Sequence, residues 1–185
     1  MNDPVLLYAA SAALACVLLL GALEKLKDMA GFTAAVAAYR ILPEGWSRGF
    51  AWAYALTEAA AGALLLAPSR QAAGAQLALL VLAAATAALA FNLSRGLRDI
   101  DCGCSGPASG GLGRNGQGGG LSWWLVLRNA VLASWAAPAL FAAADGSRGL
   151  QWVDGAAVFG FAMSAVGLYF IANHLLASHL KLRNL

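Results

Sequence analysis

The chain has few charged residues for its length. Only 11% of its 185 residues are Asp, Glu, Lys or Arg, whereas about 25% is usual in soluble domains. This scarcity excludes an ordinary soluble enzyme. Hydrophobic residues make up 61% of the chain, and most of them are alanine and leucine, which favour helices and bring no polar group. We therefore expect an all-α protein that is buried in lipid.

Cysteine, histidine and net charge are also scarce, and each scarcity excludes a class of protein. Three cysteines cannot close a disulfide framework. The two histidines, His174 and His179, lie far along the chain from Cys102 and Cys104. Because zinc takes four ligands, we expect no metal site. The formal charge of +3 is spread thinly along the chain, so we expect no binding to nucleic acid.

Uncharged hydrophobic runs predict where the chain crosses the membrane. A crossing helix needs about 20 apolar residues. We expect about five spans, at about 5–23, 51–67, 72–93, 121–144 and 155–173, with a tight turn at 68–71 that makes a hairpin of the second and third. The run 29–39 is too short to cross and is interpreted as an interfacial amphipathic helix stopped at Pro43. Residues 1–185 would thus form a single integral membrane domain, a polytopic helix bundle.

The lysines and arginines indicate an orientation for these spans. With five spans, the face that bears the amino terminus holds only Arg70 and Arg148. The opposite face holds nine cations: Lys25, Lys27, Arg40, Arg48, Arg95, Arg98, Arg114, Lys181 and Arg183. Because cytoplasmic loops carry an excess of Lys and Arg, this count predicts an amino terminus outside and a cytoplasmic loop after the third span.

That loop carries the motif Cys102-Gly103-Cys104. Half of the 18 residues in 103–120 are glycine, so a flexible extramembrane loop follows the cysteines. A disulfide across a single glycine closes a small strained ring that is easily reduced, which suits thiol–disulfide exchange. The alternative is that the two thiols are structural. Cys16, in the first span, is interpreted as a small packing residue.

Two charged residues interrupt the predicted spans. Glu58 and Arg128 both lie roughly 10 Å below the face that bears the cysteine loop, because each follows the start of its helix by a similar number of residues. A buried charge in lipid is costly and pairing lowers the cost. We therefore expect a polar pocket of Glu58, Arg128 and Asn129 that opens towards Cys102. The alternative is that Arg128 extends to the headgroups and Glu58 is protonated or exposed to water.

Several of these features occur together in one known family. They are the segment 24–28 with Tyr39 and Pro43 beyond it, Glu58 in the second span, the Cys102-Gly103-Cys104 motif, Trp123-Trp124, and Arg128-Asn129. In this order they resemble the MauE family of methylamine utilisation proteins. The likeness covers nearly the whole chain, and its most specific part is the cysteine loop followed by Arg-Asn in the next span.

The resemblance implies a function in the bacterial inner (cytoplasmic) membrane. It implies a component required for maturation of methylamine dehydrogenase, through processing, export or disulfide formation of the small subunit of that enzyme. The implied partners are that subunit and a thioredoxin-like MauD-type protein. A broader similarity to DoxX-like and vitamin K epoxide reductase-like bundles implies a four-helix core and would add a quinone as electron acceptor.

Three functions are therefore open at this point. In the first, Cys102 and Cys104 form a redox pair that exchanges with the thioredoxin-like partner. In the second, the chain is a non-catalytic assembly or translocation factor. In the third, the polar pocket carries a small molecule in methylamine utilisation. For the first, a disulfide-forming loop is expected on the periplasmic side, because the cytoplasm keeps thiols reduced, whereas the cation count predicts a cytoplasmic loop. Either the charge rule fails here or the protein moves reducing equivalents outward.

Overall fold

The structure is a computed structural model that describes residues 4–43, 45–96, 123–141 and 152–183, and the regular structure of these residues is entirely helical. The helices are α1 (Pro4–Lys27), α2 (Met29–Ala38), α3 (Ser47–Leu66), α4 (Gln71–Ser94), α5 (Trp123–Ser134), α6 (Ala137–Phe141) and α7 (Trp152–Arg183). A single 3₁₀ turn, Pro68–Arg70, joins α3 to α4. The predicted fold class, an all-α membrane helix bundle, is confirmed.

Three helices of the described chain are long and apolar enough to cross a membrane, namely Val5–Lys27, Ser47–Leu66 and Pro68–Ser94. They correspond to the first three predicted spans. The first helix continues to Lys27, beyond the predicted end, because residues 24–27 are all good helix formers. The total of five spans stays a prediction, as does the interfacial position of the short helix α2.

The helices α3 and α4 form the antiparallel hairpin that residues 68–71 predict. Gly74, in the first turns of α4, lies against the end of α3. A Cβ atom at this position would be only 2.6 Å from the backbone nitrogen of Leu65. Farther from the turn, the Tyr54 hydroxyl donates a hydrogen bond to the carbonyl of Val81 at 3.4 Å. Glycine at position 74 therefore lets the two helices start in direct backbone contact.

Helix α1 packs antiparallel against α3. Gly62 of α3 faces α1, where a Cβ atom would be 2.7 Å from Cγ of Leu19. The main hydrophobic core forms around this contact and joins α1, α3, α4, α5 and α6. Its fully buried residues include Leu14 and Leu65. Helix α7 covers α1, and its residues Val166 and Tyr169 pack against the same core.

The segment predicted as the fourth span, 121–144, contains two helices. Pro138 has no amide hydrogen, and its ring would clash with the carbonyl of Ser134 in a continuous helix. The helix accordingly ends at Ser134 and restarts at Ala137. Between them, the amides of Trp135 and Ala136 form tighter turn bonds of 3.1 Å to carbonyls three residues earlier.

Most of the charged side chains that the structure describes lie at one end of the bundle, which we call the Lys25 end. It contains the last turn of α1, the first turns of α3 and α5, and the end of α4. Leu89 and Leu93 of α4 contact Leu125 and Val126 of α5 there, so these two helices are also antiparallel. Both ends of the described chain that flank residues 97–122 therefore lie at the Lys25 end.

Tryptophan side chains are exposed at this same end. Trp46 is 70% exposed and Trp123 is 60% exposed, and Trp52 and Trp124 are also exposed. Such amphipathic rings favour the headgroup layer of a bilayer. The Lys25 end is therefore the part of the described chain that is best suited to a membrane surface.

Candidate functional site

The centre of the candidate site is an ion pair between α1 and α3. The Lys25 ammonium donates hydrogen bonds to both carboxylate oxygens of Glu58, at 3.0 Å to Oε1 and 2.8 Å to Oε2. Both side chains are buried, with 7% and 8% of their surface exposed. A buried charge in a membrane protein is stable when an opposite charge neutralises it. The pair therefore places a polar group of no net charge inside an apolar bundle.

The local sequence explains how the two charges meet. Gly21 and Lys25 are four residues apart and so lie on the same face of α1. A Cβ atom on Gly21 would be 3.1 Å from Oε1 of Glu58, so glycine at this position leaves room for the carboxylate. The Lys25 ammonium also donates to the carbonyl of Gly21 at 3.4 Å, a long and weak bond.

Aromatic rings enclose the other side of the ammonium. Lys25 Nζ lies 5.6 Å from the ring centroid of Phe32 and 5.7 Å from that of Tyr54. The two rings lie 5.8 Å apart and are tilted by 49°. Because the faces of aromatic rings attract cations, both rings stabilise the ammonium. Helix α2 contributes Phe32, and its N-terminus is fixed by Asp28, whose carboxylate accepts a hydrogen bond from the Gly31 amide at 2.9 Å.

An apolar cavity of about 410 Å³ adjoins this pair. Its walls come from α2, from the first half of α3 and from the second half of α4. Lys25 is one of the residues that line it, as are Phe32, Phe50 and Tyr54. The α4 wall is made largely of alanine. The volume lies within the usual range for sites that bind small molecules.

A second polar group lies between α4 and α5. Asn129 donates a hydrogen bond to the Thr86 hydroxyl at 3.2 Å, and Thr86 donates to the carbonyl of Leu82 at 2.6 Å. Arg128 donates to Asn129 Oδ1 at 3.5 Å. Asn92, which follows on α4, is fully buried and donates to the carbonyl of Ala88 at 3.0 Å. The Asn129–Thr86 hydrogen bond therefore joins α4 and α5 through polar side chains.

The structure places three of the five predicted site residues. Glu58 is hydrogen-bonded to Lys25, a residue that the sequence analysis assigned only to the orientation of the spans. Arg128 and Asn129 lie side by side on α5 and contact each other. A pairing of Glu58 with Arg128 stays a prediction. Cys102 and Cys104 lie outside the described residues, as does the glycine-rich loop 103–120.

The structure places two residues differently from what the sequence analysis expected. Cys16 is exposed on the surface of α1, so its interpretation as a packing residue is wrong. The sequence alone does not show which face of a helix is exposed when nearly every residue in the helix is apolar. Lys25 was missed as a partner for Glu58 because the first span was ended at residue 23. The unbroken run of helix formers up to Lys27 was the signal that could have extended it.

The comparisons with known proteins agree on one family. The family model described as methylamine utilisation protein MauE matches residues 3–142. The chain is 40% identical to the methylamine utilization protein MauE of Paracoccus denitrificans over 133 residues, which is 71% of this chain and 67% of that protein. It is 36% identical to the protein of the same name from Paracoccus versutus over 136 residues, or 74% of this chain and 69% of that one.

A third relative is the methylamine utilization protein MauE of Methylorubrum extorquens, at 36% identity over 133 residues, which covers 72% of this chain and 67% of that protein. No solved structure matches the chain significantly. The matched residues include the Lys25–Glu58 pair, the cysteine motif and the Arg128-Asn129 dipeptide.

Proposed function

This chain belongs to the MauE family of methylamine utilisation proteins, as its sequence resemblance predicted, and we propose that it is a maturation component for methylamine dehydrogenase. In this proposal it is a multi-pass protein of the bacterial inner membrane. It acts on the small subunit of the enzyme together with a thioredoxin-like MauD-type protein. Its membrane association is supported by three helices long and apolar enough to cross a membrane.

The chemistry we propose is thiol–disulfide exchange at Cys102 and Cys104. A thiolate of the thioredoxin-like partner attacks one sulfur of the Cys102–Cys104 disulfide, which breaks and leaves a mixed disulfide. The second partner thiolate then attacks the mixed disulfide, forms the partner's own disulfide and releases Cys102 and Cys104 as two thiols. Two electrons and two protons move from the partner to this chain, and the reverse exchange moves them back. The exchange itself consumes no further oxidant.

One observation carries this proposal beyond family membership. Gly96 and Trp123, which flank the cysteine loop, lie at the Lys25 end of the bundle, where the Lys25–Glu58 pair and the apolar cavity also lie. Gly96 has a φ of 75° and its amide bonds to the carbonyl of Leu93 at 3.1 Å, so α4 ends sharply there. The cysteine motif begins only a few residues later.

The proposal requires an orientation opposite to the one that the cations predict. Disulfide chemistry takes place on the oxidising side of the inner membrane. The Lys25 end would therefore face the periplasm, although most of the lysines and arginines whose side chains the structure describes lie at that end. The ion pair does not remove this conflict, because the positive-inside rule counts lysines and arginines and acidic residues contribute little to it.

The test uses a methylamine-utilising bacterium whose own copy of the gene is replaced by variants of this chain. We expect Cys102→Ser and Cys104→Ser each to abolish methylamine dehydrogenase activity and to leave free thiols in its small subunit. Cys16→Ser is the matched control, because Cys16 is an exposed cysteine in the middle of α1 and not part of the motif, and it should retain full activity. Blots of membrane fractions must show equal amounts of each variant.

Full activity in the Cys104→Ser strain would remove the exchange mechanism. If that strain matures the enzyme while Gly62→Leu does not, the chain is an assembly or translocation factor in which only the helix packing matters. Gly62 is the suitable position because a side chain there would collide with Leu19 of α1.

A further inference from the structure

The apolar cavity at the Lys25 end is open on the side of α4. Ala84 and Ala87 line the cavity and are exposed on the surface of that helix. Helix α4 belongs to a segment long and apolar enough to cross a membrane. The opening therefore faces the region that lipid occupies, and a molecule that enters it would come from the bilayer.

The wall of the cavity suits a hydrocarbon chain. Apart from Lys25 and two tyrosines, the residues that line it are apolar. Lys25 is bound to both carboxylate oxygens of Glu58, at 2.8 Å and 3.0 Å, so the pair brings no net charge to the wall. The Tyr54 hydroxyl donates to the carbonyl of Val81. A hydrocarbon chain gains the burial of its surface there, whereas a charged headgroup would lose its water without a net opposite charge to replace it.

The cavity runs along α4 from the interior of the bundle to its surface. Its lining on that helix extends from Ala84 to Phe91, which is about 10 Å at 1.5 Å per residue. Phe91 lies three residues before the end of α4 at Ser94, and that end belongs to the Lys25 end of the bundle. Because α4 is a candidate membrane span, this direction follows the course of the acyl chains beside it.

Two arginines flank the cavity where it reaches the surface. The guanidinium carbon of Arg95 lies 5.2 Å from the ring centroid of Phe91, which lines the cavity. Arg40 stands between Tyr39 and Ile41, and both of these neighbours line the cavity. Both arginines are exposed. The surface end of the cavity therefore offers positive charge, which an uncharged lipophilic molecule could not use.

The acidic side chains that the structure describes near the cavity do not cancel these two charges. Glu58 is paired with Lys25. Asp28 caps the start of α2, and the ten residues of that helix, about 15 Å, separate it from Arg40. Glu24 lies on α1, which contributes only Lys25 to the wall. Basic residues beside a pocket between membrane helices are the usual site of an anionic lipid headgroup.

We propose that the cavity holds one acyl chain of an anionic phospholipid, whose phosphate binds Arg95 and Arg40 at the membrane surface. The chain lies along α4 between Phe91 and Ala84, and the rest of the lipid stays in the bilayer. This binding goes beyond the proposed exchange at Cys102 and Cys104 and does not depend on it.

The experiment is photolabelling of the full chain, purified in an uncharged detergent, with a phosphatidylglycerol that carries a diazirine on one acyl chain. We expect labelled peptides from α2, α3 and α4 at the cavity. Unlabelled phosphatidylglycerol should suppress this labelling at a concentration at least tenfold lower than phosphatidylcholine with the same chains, because each interfacial arginine favours an anion about fivefold. Glycerol phosphate, which has no acyl chain, should not suppress it.

Three outcomes of this labelling would each overturn the proposal. Equal suppression by phosphatidylcholine or by uncharged decylbenzoquinone would show that no anionic group is recognised. Suppression by glycerol phosphate alone would show a phosphate site that does not use the cavity. Labelling confined to α7 would place the lipid elsewhere on the bundle.

Arginine variants test the headgroup contact. We expect Arg95→Gln and Arg40→Asn each to weaken phosphatidylglycerol binding about fivefold, and Arg95→Lys to retain most of it. Asparagine is chosen at position 40 because it tolerates the φ of 50° found there. Arg70→Gln is the matched control, since it removes the same charge from an exposed arginine at the opposite end of α4. An equal loss in Arg70→Gln would indicate an effect of net charge and contradict the proposed site.

Alanine variants test the cavity itself. Ala84→Phe fills the space, and we expect it to lower the labelling about tenfold, because the new ring takes part of the volume that the chain needs. Ala83→Phe is the matched control, since Ala83 is the exposed neighbour on α4 that does not line the cavity. If Ala84→Phe does not fold, Ala87→Leu serves in its place. Unchanged labelling in a folded cavity variant would overturn the proposal, whatever the cysteine variants do to enzyme maturation.

Discussion

At the scale of single residues, the Lys25–Glu58 pair is a buried ion pair that links α1 to α3. Each charge is buried, and each is neutralised there by the other. Removing one partner from a buried pair costs about 3–5 kcal/mol, whereas replacing both by apolar residues is often neutral. The pair therefore makes α1 and α3 dependent on each other through two side chains.

We accordingly expect Lys25→Met to destabilise the purified protein by about 3–5 kcal/mol, because Glu58 is left buried without its cation. The double variant Lys25→Met/Glu58→Met should recover most of that loss. Unfolding in mixed detergent micelles, followed by circular dichroism, measures both. Lys27→Met is the control, since Lys27 is exposed at the end of the same helix and should change stability little. A double variant as unstable as the single one would contradict this account.

The Asn129–Thr86 hydrogen bond is expected to contribute much less. Hydrogen bonds between helices in membranes average about 0.6 kcal/mol, because the separated helices also find partners. We expect Thr86→Val to cost roughly that amount. A double-mutant cycle with Asn129→Leu isolates the contribution. A coupling of several kcal/mol would show instead that this contact holds α4 and α5 together.

At the scale of helices, glycine determines which pairs approach closely. Gly62 lies against Leu19 of α1, and Gly74 lies against the backbone of α3 near the hairpin turn. Two long apolar runs separated by the short turn at Pro68 predict the hairpin. This pattern does not show which glycine faces a neighbouring helix. Pro138 similarly lies at a helix break in the structure. The sequence did not predict this break, because a proline within an apolar run can also lie in a kinked but continuous span.

Glycine-to-alanine substitutions test this account of the hairpin. Gly74→Ala should be strongly destabilising, because its Cβ would lie 2.6 Å from a backbone nitrogen that cannot move independently. Gly160→Ala on α7 should be neutral or slightly stabilising, since no neighbouring atom lies within 4 Å and alanine favours helices. Unfolding in mixed micelles compares the two variants. Similar stabilities would indicate that the hairpin tolerates a wider separation of α3 and α4.

At the scale of the whole molecule, the antiparallel order of α1, α3, α4 and α5 divides the chain between two ends. The Pro68–Arg70 turn lies at one end, and Ser94, Gly96 and Trp123 lie at the other. The fold thus fixes which segments share a side of the membrane. This grouping of segments is the same for either orientation of the bundle in the membrane.

Single cysteines introduced at the two ends report the orientation. In a chain without Cys16, Cys102 and Cys104, we expect Ser94→Cys and Ser69→Cys to react with an impermeant maleimide from opposite sides, since both serines are exposed at opposite ends. The proposed exchange at Cys102 and Cys104 predicts that Ser94→Cys is the one labelled in intact cells. Labelling of Ser69→Cys alone would place the cysteine loop in the cytoplasm and contradict the exchange. Labelling of both from one side would contradict the fold.

The sequence by itself determined the class of this protein, its first helices and its family. Because the chain has few charges and long apolar runs, its apolar surface is best removed from water by a lipid bilayer. This inference needs no knowledge of which residues are in contact. The tertiary structure decided the partners. In the folded protein Lys25 pairs with Glu58, Cys16 is exposed on the surface of α1, and an apolar cavity forms beside α4. In helices that are apolar on every face, periodicity does not reveal the buried side, so only packing can assign which residues meet.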